Sequence, residues 1–190
     1  MIRKHLYLIL SISVLLILLL TVVLPFSKSG RDSPQPPEIK LYLASSALTV
    51  MDELVALLPF EPSGRTACYI TTASWNADWT KYEIDAIKDA GFKVKRIDLA
   101  ELSSNTVAKA FEGSDIIFVG GGNTFYLLQE VRRSGFDKLL GKKIKEGVPY
   151  VGVSAGAIIL APNIECVKYA DDPAAADVVV DIAADDDEYD

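Results

Sequence analysis

At 190 residues, half of them apolar, the chain is long enough for one medium domain plus an appendage. Its formal net charge of −7 misleads, because residues 171–190 carry nine acidic side chains and no basic one, leaving the other 170 residues at +2. That nearly neutral body has no basic stripe and no aromatic-basic interleaving, which argues against nucleic acid as a partner.

The first element is an apolar run, "LYLILSISVLLILLLTVVLPF" (Leu6 to Phe26), with no charged residue. It is long enough to cross a ~30 Å hydrocarbon core as a helix. It exceeds the roughly 7–15 apolar residues of an export signal, and "PFSKSGRD" offers no Ala-x-Ala cleavage site. The expectation is a single-pass membrane anchor over residues 1–27, with a signal segment as the alternative. Arg3 and Lys4 precede the run, whereas Lys28 and Arg31 follow it beside Asp32, so the charge balance leans toward an extracytoplasmic domain. Residues 28–37, with Pro34, Pro36 and Pro37, read as an extended linker.

A regular alternation follows. "IKLYLAS" is β-prone, and "LTVMDELVALL" sets Leu48, Met51, Val55 and Leu58 at helical spacing. "ACYITTAS" predicts a strand, "DWTKYEIDAIKDAG" a helix closed by Gly91, "FKVKRIDL" a third strand, and Val107, Ala110 and Phe111 a short helix. "SDIIFVGGGN" predicts a fourth strand running into glycines. "TFYLLQEVRRSG" and "FDKLLGKKIKEG" predict helices ending in glycine, and "VPYVGV" a fifth strand. Such alternation implies βαβ units, right-handed crossovers and an α/β three-layer sandwich with a mostly parallel sheet. Chemistry in such sheets gathers beyond the carboxyl ends of the strands. Both unusual loops, "GGGN" and "VSAGA", fall there.

Gly152-Val153-Ser154-Ala155-Gly156 fits G-x-S-x-G, a strand–turn–helix nucleophile elbow. The serine takes a strained backbone position, so the residues two places away must be very small. The plainer alternative is a turn where a helix packs closely on the sheet. Gly120-Gly121-Gly122-Asn123-Thr124 lets backbone approach a ligand and present N–H groups to an oxyanion. It matches neither G-x-G-x-x-G nor G-x-x-x-x-G-K-[ST], so no nucleotide cofactor is expected. Its plainer reading is a glycine turn with Asn123 or Thr124 capping the next helix. Cys68 and Cys166 form no metal or redox motif and are expected as two buried free thiols. The acidic end reads as a solvated tail without the loop spacing of a calcium site, and no metal is expected.

"IIFVGGGNTFYLL" followed by "GVPYVGVSAGAIILAPNIE", with the opening "KLYLASSAL", resembles the peptidase E family of serine peptidases. The resemblance implies the class I glutamine amidotransferase-like fold, flavodoxin-like in architecture, over residues 38–173, with 174–190 as an acidic tail. It implies hydrolysis of short peptides, including those with an N-terminal Asp, by acyl transfer through Ser154. Ala155 and either Gly121 or Gly122 would supply the oxyanion-hole N–H groups, and Asp171 resembles an acid near the family's active site. No cofactor is implied, and a homo-oligomer is compatible with the family. The family also carries a histidine some tens of residues beyond the serine. Here 36 residues follow Ser154 and none is His; the one histidine, His5, lies in the apolar N-terminal region. The resemblance therefore covers about the first two-thirds of such a domain, and a truncated or catalytically silent relative that binds a small ligand is the alternative.

Overall fold

The computed structural model describes residues 37–75 and 77–176. The apolar run at 6–26 and most of the acidic tail lie outside the described residues. Among the described residues no helix is long and apolar enough to cross a membrane.

The described residues form five strands and six α-helices in the order β1 (Leu41–Ala44), α1 (Met51–Leu57), β2 (Thr66–Ile70), α2 (Thr80–Asp89), β3 (Lys93–Ile97), α3 (Val107–Ala110), β4 (Ile116–Val119), α4 (Thr124–Ser134), α5 (Phe136–Lys145), β5 (Tyr150–Val153) and α6 (Ala155–Ile158). Every pairing is parallel, in the order β1-β5-β4-β2-β3. The helix boundaries follow local chemistry. Asn123 caps α4 by accepting the Tyr126 N–H at 2.9 Å, and Gly135 closes it in the left-handed conformation at φ 73°. Lys142, Lys143 and Lys145 fill the last turn of α5, where positive charge complements the helix dipole.

Strand alternation divides the core into two layers. Ala67, Tyr69, Ile116, Phe118, Val151 and Val153 face one side, packed with Met51, Leu54 and Ile87 of α1 and α2. Cys68, Ile70, Ile117, Val119 and Tyr150 face the other, with Val107, Leu127, Val131, Phe136 and Leu140 of α3, α4 and α5. Both faces thus carry helices, as the parallel pattern predicts. Edge strand β1 is the exception. Its Tyr42 packs inward, but Leu41 and Leu43, on the side facing α6, are 45% and 54% exposed.

The chain reverses direction across the sheet between β2 and β4. Strand β3 extends the sheet outward from β2, whereas β4 and β5 return along its other side toward β1. Connections after β2 and β4 therefore depart toward opposite faces and leave a crevice between them. Cys68 is a buried free thiol, its ionisation disfavoured by burial. Cys166 differs from expectation: it is exposed, on a short 3₁₀ turn over Glu165–Val167 that leaves its side chain outside the packing made by Ile164 and Val167.

Under the sheet, Tyr69 donates a hydrogen bond to Glu83 of α2, which is only 5% exposed. Burial raises the Glu83 pKa above the ordinary 4.5, with the Tyr69 hydrogen bond acting the other way. The folded state therefore binds the proton more tightly than the unfolded state. The stabilisation this provides is complete below 4.5 and is lost as pH climbs through the raised value. The melting temperature should accordingly fall as pH rises above the ordinary 4.5, and Glu83→Gln should flatten that part of the profile. Parallel profiles for the two proteins, followed by circular dichroism, would refute this account of Glu83.

Candidate active site

The site is built from backbone at the carboxyl ends of β5, β4 and β2. Ser154 leaves β5 at φ 50° and ψ −111°, one of two non-glycine residues with positive φ among those described. Such a conformation costs on the order of 1–3 kcal/mol and persists only when its surroundings impose it. They do so from both sides. The Ser154 N–H donates to the Ala44 carbonyl at 2.9 Å, while its own carbonyl accepts from Ala157 at 2.8 Å and Ile158 at 3.0 Å. The side chain stands exposed between buried Val153 and buried Ala155.

The flanking glycines are sterically required. A Cβ on Gly156 would lie 2.2 Å from the Val119 carbonyl oxygen, and one on Gly152 would lie 2.5 Å from the Gly156 oxygen. Tyr150 closes the turn beneath them by donating to that same Gly156 carbonyl at 2.5 Å. The G-x-S-x-G spacing is therefore a packing requirement: α6 starts so close to the ends of β4 and β5 that no side chain fits.

The glycine loop after β4 meets this elbow. A Cβ on Gly121 would come within 3.1 Å of the Ser154 Cβ. Gly122, at φ 134°, lies against the Ala73 carbonyl, which a Cβ there would meet at 2.0 Å. The N–H groups of Gly121, Gly122 and Ala155 have no acceptor among the described residues. The sequence-predicted Ser154, Gly121 and Ala155 thus come together at one edge of the sheet, with Gly122 next to them.

Asp171 sits differently from a freely disposed acid. Its carboxylate accepts the Thr124 N–H at 2.8 Å, at the start of α4, while the Asn123 amide donates to the Asp172 carbonyl at 2.9 Å. These bonds strap the 171–172 segment onto the helix that follows the glycine loop. The Thr124 hydroxyl is buried without a hydrogen-bond partner among the described residues. Lys168 places its ammonium over the Tyr169 ring, 5.0 Å from the centroid. No histidine occurs among the described residues, and no group of His, Cys, Asp or Glu among them could hold a metal ion.

Two features escaped the sequence. The first is the Tyr69 hydroxyl against the loop, 2.7 Å from where a Gly120 Cβ would sit. The second is Trp75, left-handed at φ 45°, stacked on Tyr126 of α4 with ring centroids 4.9 Å apart. An isolated tryptophan in a turn carries no periodic signal, so nothing in the sequence marked it.

The described residues thus form a parallel α/β sheet with a strained, exposed serine between strand and helix. Residues 41–183 match the model of peptidase family S51, and the chain belongs to that family. It is 38% identical over 143 residues to the uncharacterized peptidase Lin0382 of Listeria innocua, covering 72% of this chain and 66% of the relative. It is 34% identical over 106 residues to peptidase E of Streptomyces coelicolor, covering 55% of this chain and 42% of that protein. A crystal structure of a protein assigned to peptidase E, from Listeria monocytogenes, superposes with a TM-score of 0.72 at 32% identity. That match covers 77% of this chain and 74% of the solved one. The chain thus spans about two thirds of the Listeria innocua relative and less than half of the Streptomyces peptidase E.

The glycine geometry generates a paired test. Gly156→Ala drives a Cβ into backbone and should destabilise the protein by about 3 kcal/mol or more. Gly141→Ala, in α5 with open space around it, should stabilise by about 0.5–1 kcal/mol. Urea denaturation of both variants reads the difference, and similar effects at the two positions would contradict the packing account.

Proposed function

We propose that this chain carries the nucleophile half of a peptidase E-like serine peptidase active on short peptides. The fold would then be of the class I glutamine amidotransferase-like type. The observation that carries the reading is the exposed Ser154 at positive φ held against Gly121, with N–H groups on both flanking loops that have no acceptor among the described residues. In the reaction, Ser154 Oγ attacks the peptide carbonyl carbon and gives its proton to a base. The carbonyl oxygen takes up negative charge between the Ala155 N–H and that of Gly121 or Gly122. Collapse expels the amine, which receives the proton, and water then releases the acid from the serine ester. Asp171 acts indirectly here, by tying the following segment to α4 and so fixing the glycine loop.

The base is the open element. A serine hydroxyl without one is a weak nucleophile, and removing a triad member typically leaves only about 10³–10⁴-fold catalysis over water. That consideration favours a second reading, in which the same crevice binds a small carboxylate or peptide without turnover. A fluorophosphonate probe separates the two on the full chain. It forms an Oγ–P bond with loss of fluoride, and labelling that vanishes in Ser154→Ala is the expected outcome. A folded protein that stays unlabelled would replace the peptidase by the binding module.

The charge-free run Leu6 to Phe26 makes the protein, in the same proposal, membrane-anchored with its domain extracytoplasmic. Expressed in cells, the full chain should remain in the membrane pellet after alkaline carbonate extraction and be open to protease added from outside. Release into the supernatant would refute the anchor.

A further inference from the structure

We propose that Trp75 is a specificity-determining residue, forming one wall of a subsite for an aromatic or large apolar side chain of the peptide held at Ser154. This inference rests on the peptidase reading above and names the class of substrate side chain that the same site takes.

Placement is the first ground. In the sheet register Ile70 pairs with Val119, and Val119 with Gly152. The segments leaving these residues, Thr71–Trp75, Gly120–Gly122 and Val153–Ser154, therefore emerge side by side. The turn that ends in Trp75 is joined to the glycine loop by the Asn123 N–H, which donates to the Ala73 carbonyl at 2.9 Å, and by the contact of Ala73 with Gly122. Gly121 in turn touches Ser154. A continuous line of backbone contacts thus runs from the serine to a point two residues from Trp75, across the crevice where the chain reverses direction.

Conformation is the second ground. Trp75 and Ser154 are the two non-glycine residues with positive φ among those described; Trp75 closes the 3₁₀ turn Thr72–Ser74 that follows β2, and Ser154 opens α6 after β5. A bulky residue at positive φ is an outlier that its surroundings must enforce. Here the turn is held by Ser74, whose hydroxyl bonds the Thr71 carbonyl at 2.7 Å and the Thr80 hydroxyl at 3.0 Å.

Chemistry is the third. The indole packs against Tyr126 at an interplanar angle of 30°, yet Trp75 remains 53% exposed, so an aromatic surface faces solvent on a fixed backing. A planar or bulky apolar side chain stacking there displaces water at little entropic loss to the protein.

The test compares two phosphonofluoridates on the full chain, one with a phenylalkyl arm and one with a methyl arm. Each labelling rate is corrected for the reagent's own hydrolysis. The phenylalkyl reagent should label Ser154 about tenfold faster. Trp75→Ala should bring the ratio close to one, while Trp75→Phe, which restores an aromatic face, should recover most of it. A ratio near one in the unaltered chain, or one that survives Trp75→Ala, would overturn the subsite while leaving the nucleophile intact. Should neither reagent label Ser154, the peptidase reading fails and a second measurement decides the subsite. The chain contains two tryptophans, so Trp79→Phe leaves Trp75 as the sole indole. Saturable quenching by N-acetyl-phenylalaninamide but not by N-acetyl-alaninamide supports the subsite, and equal or absent responses refute it.

Discussion

The structure depends on a single close approach, where α6 begins against the ends of β4 and β5. The Gly156 backbone lies directly on the Val119 carbonyl, and the Gly156 carbonyl lies over Gly152 and takes the Tyr150 hydroxyl. Any side chain at either glycine would push the helix away from the sheet. Because the helix cannot retreat, the residue between strand and helix must turn within one peptide unit. Ser154 pays for that turn in backbone strain, and its side chain is thereby raised out of the core while its neighbours stay buried. The exposure of the serine follows from packing two residues away.

The same constraint propagates along the sheet edge. With the elbow fixed, Gly121 can approach the Ser154 Cβ, and with Gly121 fixed, Gly122 can close on Ala73. Asn123 then performs three tasks: its backbone N–H holds Ala73, its side-chain oxygen caps α4, and its amide nitrogen holds the Asp172 carbonyl. One residue thereby ties together the loop after β2, the helix after β4 and the segment carrying Asp171. Tyr69 supports the loop from beneath, with its hydroxyl between Gly120 and Glu83. Preorganised N–H groups are useful only if nothing moves when charge develops near them. Each element bordering this loop restricts such movement.

Most of this framework was legible in the sequence because it is written in local patterns. Strand and helix alternation, the left-handed Gly135 after α4 and the Asn123 cap are short-range signals. G-x-S-x-G was legible because its glycines report a steric need within five residues. What the sequence concealed depends on tertiary placement. Trp75 acquires significance only when β2 lies beside β4, since its stacking partner Tyr126 is 51 residues away. Asp171 reads as an acid near a site, whereas its carboxylate is engaged by the N-terminus of α4. The exposure of Cys166 likewise depends on how one 3₁₀ turn lies against Ile164 and Val167, which composition does not encode.

The geometry that holds Ser154 is separable in this architecture from whatever would activate its hydroxyl. Among the described residues, the contacts that hold Ser154 in its strained conformation come from residues between Ala44 and Ile158, and none involves a carboxylate, an amine or an imidazole. The elbow is thus maintained by core packing whether or not a proton acceptor stands beside it. A peptidase mechanism adds one requirement to that geometry: a base that reaches Oγ from the open side of the crevice. Ligand binding needs only the N–H groups and an apolar wall. On the proposed reading the glycine loop would supply the first, and the Trp75–Tyr126 pair, which bridges the β2/β4 reversal, the second. On the proposed function, the crevice would hold a peptide by its backbone and one side chain before any chemistry begins, and a base reaching Oγ would decide whether that binding proceeds to cleavage.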